Sequence, residues 1–293
     1  MKILNYGSLN IDKVYRVPHF VREGETLSSL NYSEYCGGKG LNQSIALSRA
    51  GADVYHAGKI GPDGAFLLTE LQKNGVHTEF IEGDGSVTGH AIIQVTDTGE
   101  NSILLFGGAN KEIGHHHIDH VLSRFEAGDL LVLQNEINDL DIIIEKGYKK
   151  GMFIALNPSP MTEPLLQLDL SKITYLIVNE VEGERLTGHR DPEKILASFH
   201  GEFPQLKVVL TLGAQGVIYQ SEIETVKQKS FQVDVIDTTA AGDTFLGYFL
   251  SGIFNDMKTV NALRIASKAA SIAVSREGAA SSIPHLYEVE WNH

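Results

Sequence analysis

Basic residues are scarce in this chain of 293 residues: Lys and Arg number 24 against 37 Asp and Glu, a formal charge of −13. That deficit argues against sequence-independent binding to nucleic acid or anionic lipid, both of which draw on excess Lys and Arg. An anionic ligand must then be received by local features rather than by the overall field. Cysteine is nearly absent. Cys36 has no partner for an internal disulfide, which fits a reducing compartment. No apolar run approaches the roughly 18 residues of a membrane span, and the opening MKILNYGSLNID turns polar well short of a signal-peptide core. The chain is expected to be soluble and cytoplasmic. Two phosphate-binding fingerprints are missing as well. Gly38-Lys39 is followed by Gly40, and Ser33 stands where a Walker loop would begin with glycine. After the first apolar run, Gly7 leads into Ser8-Leu9-Asn10 and not into G-x-G-x-x-G.

What is present is an alternation. Short runs rich in Leu, Ile and Val recur at 2–7, 53–58, 130–134, 152–156, 175–178 and 208–212, as in strands buried on both faces. Leu41, Ile45, Ala46, Leu47 and Ala50 mark an amphipathic helix that stops at Gly51. Phe245, Leu246, Phe249, Leu250 and Ile253 mark another. Strand and helix alternating over this length predict an α/β fold, a mostly parallel sheet covered by helices on both sides. Two segments break the pattern. Residues 12–35 carry Pro18, a turn at 23–25 and a polar, β-prone stretch, and 89–106 reads as a hairpin around Asp97-Thr98-Gly99. Ala91, Ile93 and Val95 would share one strand face. The two segments are expected to form a small β lid, with 1–11, 36–88 and 107–293 forming the main body.

Polar side chains gather at the carboxyl ends of the expected strands: Asn10 and Asp12, then Gln134, Asn135 and Glu136, Asn157, Asn179 with Glu180 and Glu182, and then Gly213. Ligands of open α/β sheets bind along that edge, and carboxamides and carboxylates suit a ligand with many hydroxyls. Helix capping is the alternative for any one of them, because Asn and Asp commonly begin helices. The stretch DTTAAGDTF (237–245) puts small residues at a helix start, leaving free N–H groups open to an anion. Asp243 beside that hole can take a hydroxyl proton while the amides hold a transferring phosphoryl group; an ordinary acidic first-turn residue is the other reading.

DTTAAGDTF resembles the C-terminal signature of the ribokinase (phosphofructokinase-B type) carbohydrate kinase family, and YCGGKGLNQSIALSRAGADVYHAGKIGPDG (35–64) its N-terminal one. GSLNID (7–12), GET (24–26), TGHA (88–91), GEN (99–101), GAN (108–110), NPSP (157–160), NEVEGERLTG (179–188), TLGAQGV (211–217) and SREGAASSIP (275–284) follow the family in order, so the resemblance covers essentially the whole chain. It implies a three-layer αβα fold and phosphorylation of a primary sugar hydroxyl by ATP, D-ribose first, with deoxyribose, a ketohexose, a sugar acid or a nucleoside as alternatives. A sugar-binding regulator without catalysis is a further alternative. Asp243 would be the base, with the amides of Ala240, Ala241 and Gly242 forming the anion hole. Asn10, Asp12, Gly38, Lys39, Asn42 and Glu136 would bind the sugar. Asn179, Glu182, Thr211 and Gly213 would lie along the nucleotide, with Mg²⁺ near Asn179 and Glu182. Asp237, Thr239, Ala273, Arg276, Gly278 and Ser282 would surround a monovalent cation, K⁺. The family pairs its lids, which implies a homodimer.

Ala240 stands where the family often has glycine, tolerable if φ stays negative. His90 and Gln94 stand where it is often apolar, which could alter sugar preference. Pro62 is read as a tight turn. His115, His116, His117 and His120 lack ligand spacing and read as a solvated helix start. Cys36 reads as a packed small side chain, and Trp291 as a packing anchor.

Overall fold

The computed structural model describes residues 1–290, so Trp291 lies outside the described residues. In chain order the elements are β1 (Ile3–Tyr6), β2 (Asn10–Val17), β3 (Asn31–Gly37), α1 (Lys39–Arg49), β4 (Val54–Lys59), α2 (Ala65–Lys73), β5 (His77–Glu82), β6 (Gly89–Thr96), β7 (Asn101–Phe106), α3 (His115–Leu122), β8 (Leu130–Gln134), α4 (Leu140–Lys149), β9 (Phe153–Asn157), β10 (Tyr175–Asn179), α5 (Glu180–Thr187), α6 (Pro192–Glu202), β11 (Lys207–Thr211), β12 (Val217–Gln220), β13 (Thr225–Gln228), α7 (Ala241–Phe254), α8 (Thr259–Val274) and α9 (Leu286–Glu290).

Among the described residues nine strands form the central sheet, ordered β13-β12-β11-β10-β9-β8-β1-β4-β5. All pairings from β5 to β11 are parallel, and β12 and β13 close one edge antiparallel. Successive strand residues point to opposite faces. Ile3, Val132, Tyr175 and Val209 therefore pack with α1, α7 and α8, whereas Leu4, Leu131, Leu176 and Val208 pack with α3, α4 and α6. The result is the three-layer αβα architecture. Strand order reverses at β1, between β4 and β8, and the crevice at the carboxyl ends of β1 and β8 is where such sheets receive ligands.

The segments that broke the alternation form a separate four-stranded sheet, ordered β3-β2-β6-β7. Its first strand starts at Asn10, two residues before the expected boundary, and β2 pairs with β6 in parallel from Asn10↔Gly89. All four strands meet the body at one end: β2 leaves it at Asn10, β3 returns at Gly37, β6 leaves at Gly89 and β7 returns at Phe106. Among the described residues no helix is long and apolar enough to cross a membrane.

The histidine cluster is not wholly solvated. His115, His116 and His120 are exposed, but His117 is buried one turn in. Its Nδ1 lies 2.6 Å from Tyr6 Oη and its Nε2 3.0 Å from Phe80 O. One helical turn carries a side chain through some 100° per residue, so consecutive histidines cannot share an environment. Cys36 packs against the core, where burial pushes its thiol up to about 11.

Candidate active site

A cleft of 1140 Å³ runs along the carboxyl edge of the central sheet beneath the second sheet. Its floor is built at the strand reversal. Ser8 follows β1, Glu136 follows β8, and Ser8 Oγ donates to Glu136 Oε2, which also accepts the Lys39 backbone N–H at 3.0 Å. Gly40 lets α1 start against that loop: a Cβ there would lie 2.3 Å from Ser8 N. The close fit puts Lys39 and Asn42, in the first turn of α1, into the crevice, with Gln43 buried just behind them.

Asp243 lies at the start of α7, 6% exposed. Its carboxylate accepts Gln43 Nε2 at 2.9 Å on Oδ1 and Asn42 Nδ2 at 3.3 Å on Oδ2. Asn42 Oδ1 is buried without a partner among the described residues, an acceptor waiting for a donor. Lys39 is held above its ordinary value, first by Asp243 and then by Glu136 and Glu182, against burial that pulls it down. It therefore stays cationic in the cleft. Asp12 is pushed the other way. Burial, then the Glu136 charge, raises its carboxyl to about 7. Asn10 is buried and accepts Asn110 Nδ2 at 2.7 Å.

The start of α7 is open. Ala241 and Gly242 line the cleft, and a Cβ at Gly242 would meet nothing within 4 Å. Ala240, the residue that caps the helix, has φ 59°, so the expectation of a negative φ fails. The chain must reverse sharply there to bring a helix up at the cleft wall, and the left-handed region supplies that turn at about 1 kcal/mol for a residue with a Cβ.

Other expected residues divide. Gly38, Asn179, Glu182 and Thr211 line the cleft, but Gly213 does not. Asn179 and Glu182 form a reciprocal capping box: Asn179 Oδ1 accepts Glu182 N at 2.9 Å, and Glu182 Oε2 accepts Asn179 N at 3.0 Å. Capping therefore accounts for one oxygen of each, while Glu182 Oε1 makes no hydrogen bond among the described residues. Asn135 ties to Pro160 O and Thr162 Oγ1, and Glu180 faces solvent. Asp237, Thr239 and Gly278 line the cleft, whereas Ala273, Arg276 and Ser282 do not. Asp237 Oδ1 accepts the Thr239 amide and hydroxyl, and Oδ2 accepts Gly278 N at 3.0 Å, joining the two loops. Burial pushes that carboxyl up, but these three donors outweigh it and hold it below its ordinary value. His90 and Gln94 brace the second sheet instead of lining the cleft: His90 packs on Phe106, and Gln94 Oε1 accepts Val21 N.

The Asp243 carboxylate, the open start of α7 and the carboxylates of Asp12 and Glu136 thus share one cleft. The model of the "pfkB family carbohydrate kinase" matches residues 1–286. The chain belongs to the pfkB family of carbohydrate kinases. The ribokinase of Haemophilus influenzae is 36% identical over 292 residues, covering 96% of this chain and 95% of that one. The solved ribokinase of Cryptococcus neoformans in complex with ADP is 33% identical with TM-score 0.85, covering 99% of this chain and 98% of its own. The Arabidopsis thaliana ribokinase, solved with ribose and ATP, is 29% identical with TM-score 0.86, covering 99% and 97%. Among the described residues Lys39 is the one Lys or Arg lining this pfkB cleft.

Proposed function

We propose that this chain is an ATP-dependent ribokinase that transfers the γ-phosphoryl group of ATP to the primary hydroxyl of D-ribose, giving ribose 5-phosphate and ADP. The observation that carries the reading is the buried Asp243 carboxylate, held by Asn42 and Gln43 at the mouth of an open helix N-terminus. Asp243 takes the hydroxyl proton as the oxygen forms its bond to phosphorus and the bond to the ADP oxygen breaks. The amides of Ala240 to Asp243 face the charge that develops, and Lys39 supplies a positive charge beside it. Asn10, Asp12, Gly38, Asn42 and Glu136 bind the sugar hydroxyls, and the unpartnered Asn42 Oδ1 receives one of them. Asn179, Glu182 and Thr211 lie along the nucleotide, with Gly213 further out.

Two ions belong to the reading. Glu182 keeps one carboxylate oxygen with which it would hold Mg²⁺ or its water, as a hard cation requires, and the ion would supply positive charge toward the nucleotide phosphates. Asp237 and the carbonyls of the two loops it joins offer the hard oxygen donors that suit K⁺, with Thr239, Ala273, Arg276, Gly278 and Ser282 contributing backbone or shaping the loop. When bound, K⁺ would supply positive charge near these residues. The second sheet serves as the lid, the assembly is a homodimer through it, and the enzyme works in the cytoplasm.

The test is ADP release with ATP and Mg²⁺ against D-ribose, deoxyribose, ketohexoses and nucleosides, each with and without K⁺. D-ribose should give the highest kcat/KM, and K⁺ should raise it. Asp243→Ala should lose about 10²–10⁴-fold in kcat at saturating sugar; near-full turnover by that variant would sink the mechanism.

A further inference from the structure

Gln43 is fully buried on α1, and its contacts run in one direction. Its Nε2 donates to Asp243 Oδ1 at 2.9 Å and to Asn157 Oδ1 at 3.3 Å. Its own carbonyl oxygen accepts Gln134 Nε2 at 2.6 Å. Neither neighbour is free to turn over. Asn157 Nδ2 donates to the backbone oxygen of Ile177 at 3.0 Å, so the oxygen is what Asn157 offers Gln43. On the other side, Asn5 Nδ2 donates to Gly40 O and Ser44 Oγ, both at 2.8 Å, so Asn5 turns its oxygen to Gln134. Gln134 Nε2 donates to that oxygen at 2.9 Å as well as to Gln43. An amide has one acceptor end and one donor end. With a donor fixed on one side and an acceptor on the other, Gln43 has a single orientation that satisfies both. That orientation aims an N–H at Asp243. Two backbone carbonyls, Gly40 O and Ile177 O, set the sense of the whole chain of carboxamides.

Asn42 donates to the other oxygen of Asp243 at 3.3 Å, a longer contact. Lys39 is the cation facing the carboxylate, and it shares its charge with Glu136 and Glu182. Gln43 is thus the neighbour that fixes which way the carboxylate lies.

We infer that Gln43 is a positioning residue for phosphoryl transfer: locked by Gln134 and Asn157, it ties down Asp243 Oδ1 and leaves Oδ2 to meet the acceptor hydroxyl. This rests on Asp243 being the base. Gln43 does not itself touch the sugar, so its loss acts on turnover and spares affinity. Gln134 acts one step further out, only through Gln43.

The experiment measures kcat by ADP release and D-ribose affinity by calorimetry for Gln43→Met, Gln134→Met, the double variant and Asp243→Asn. Gln43→Met should lower kcat by about 10- to 100-fold, the scale of a hydrogen bond to a charged group, with ribose affinity within about threefold of the parent. Gln134→Met should lose less, and the double variant should match Gln43→Met, because the two residues act as one unit. If Asp243→Asn turns over normally, the base reading itself is wrong. If Asp243→Asn is inactive while Gln43→Met keeps its kcat, or loses kcat and ribose affinity together, the positioning role is overturned. Additive losses in the double variant overturn it too. Should Gln43→Met not fold, Gln134→Met decides: a lower kcat at unchanged affinity supports the inference, and an unchanged kcat rejects it.

Discussion

Asp12 shows how one carboxyl can report on ligand binding. Burial and the neighbouring Glu136 charge raise it to about 7, so near neutrality it exchanges a proton. On the proposed reading sugar hydroxyls would donate to the ionised form, so sugar binding would drive the proton off. Binding should be strongest above pH 7 and weaken as pH falls, by about tenfold per unit below the titration. A ribose Kd that stayed flat from pH 5.5 to 8.5 would show that Asp12 does not titrate on binding. The stability of the unliganded fold runs the opposite way with pH. A raised carboxyl favours the folded state at low pH, and that contribution is lost as pH rises through 7. Asp12→Asn should therefore raise Tm at pH 8 relative to the parent, raise it less at pH 5, and change it little below about pH 4. The residue scale is also where the sequence was hardest to read. Asn5 sits inside an apolar run and looks like any buried strand residue, and Gln43 lies among helix-face neighbours. Their roles come from partners 91 and 200 residues away (Gln43 to Gln134 and to Asp243), which no local pattern encodes.

At the scale of the element, two of the three glycines of α7 have opposite meanings. Gly242 has open space where a Cβ would project, although glycine weakens a helix by about 0.5–1 kcal/mol relative to alanine. Nothing in the fold requires it, and the space faces the cleft. Gly242→Ala should hold or gain stability in urea while kcat falls about tenfold or more, because the methyl crowds the anion hole. Gly247 is the reverse: a Cβ would lie 2.4 Å from Ala46 Cβ and 2.7 Å from Leu47 N on α1. Gly247→Ala should cost about 1–3 kcal/mol and leave kcat per folded molecule nearly unchanged. Urea melts beside steady-state rates separate the two. The buried strands and both principal helices could be read from Leu, Ile and Val runs and from 3.6-residue spacing. β5, β12 and β13 could not. They are edge or near-edge strands, and HTEFIE and TVKQ mix charge with apolar residues because water meets part of each. Asn179 and Glu182 illustrate the same limit. Their spacing fits a capping box and a ligand site equally, and in the structure they form the capping box while lining the cleft.

At the scale of the molecule, the second sheet exposes a run that water does not favour. Ile103, Leu104, Leu105 and Phe106 of β7 are 59%, 68%, 45% and 51% exposed, and β7 is an unpaired edge. Such an edge invites pairing with another chain, and a second copy is the occupant the homodimer reading requires. Light scattering should give twice the 32.1 kDa chain mass, and Ile103→Asp with Leu105→Asp should leave a monomer. A wild-type monomer at micromolar concentration would end the dimer reading.

The rooting of that sheet has a mechanical consequence. Its four strands are clamped to the body along one line, at Asn10, Gly37, Gly89 and Phe106, and Asp12 is only two residues out. Strand residues advance about 3.3 Å each, so a rotation of about 10° about the line swings Val17 and Thr96 by about 4 Å and Asp12 by about 1 Å. In such a swing Asp12, proposed to hold the sugar, would sit near the fulcrum. The sheet's tip can widen the aperture while the atoms that would hold the sugar scarcely move, which lets the rate of entry change independently of the strength of grip.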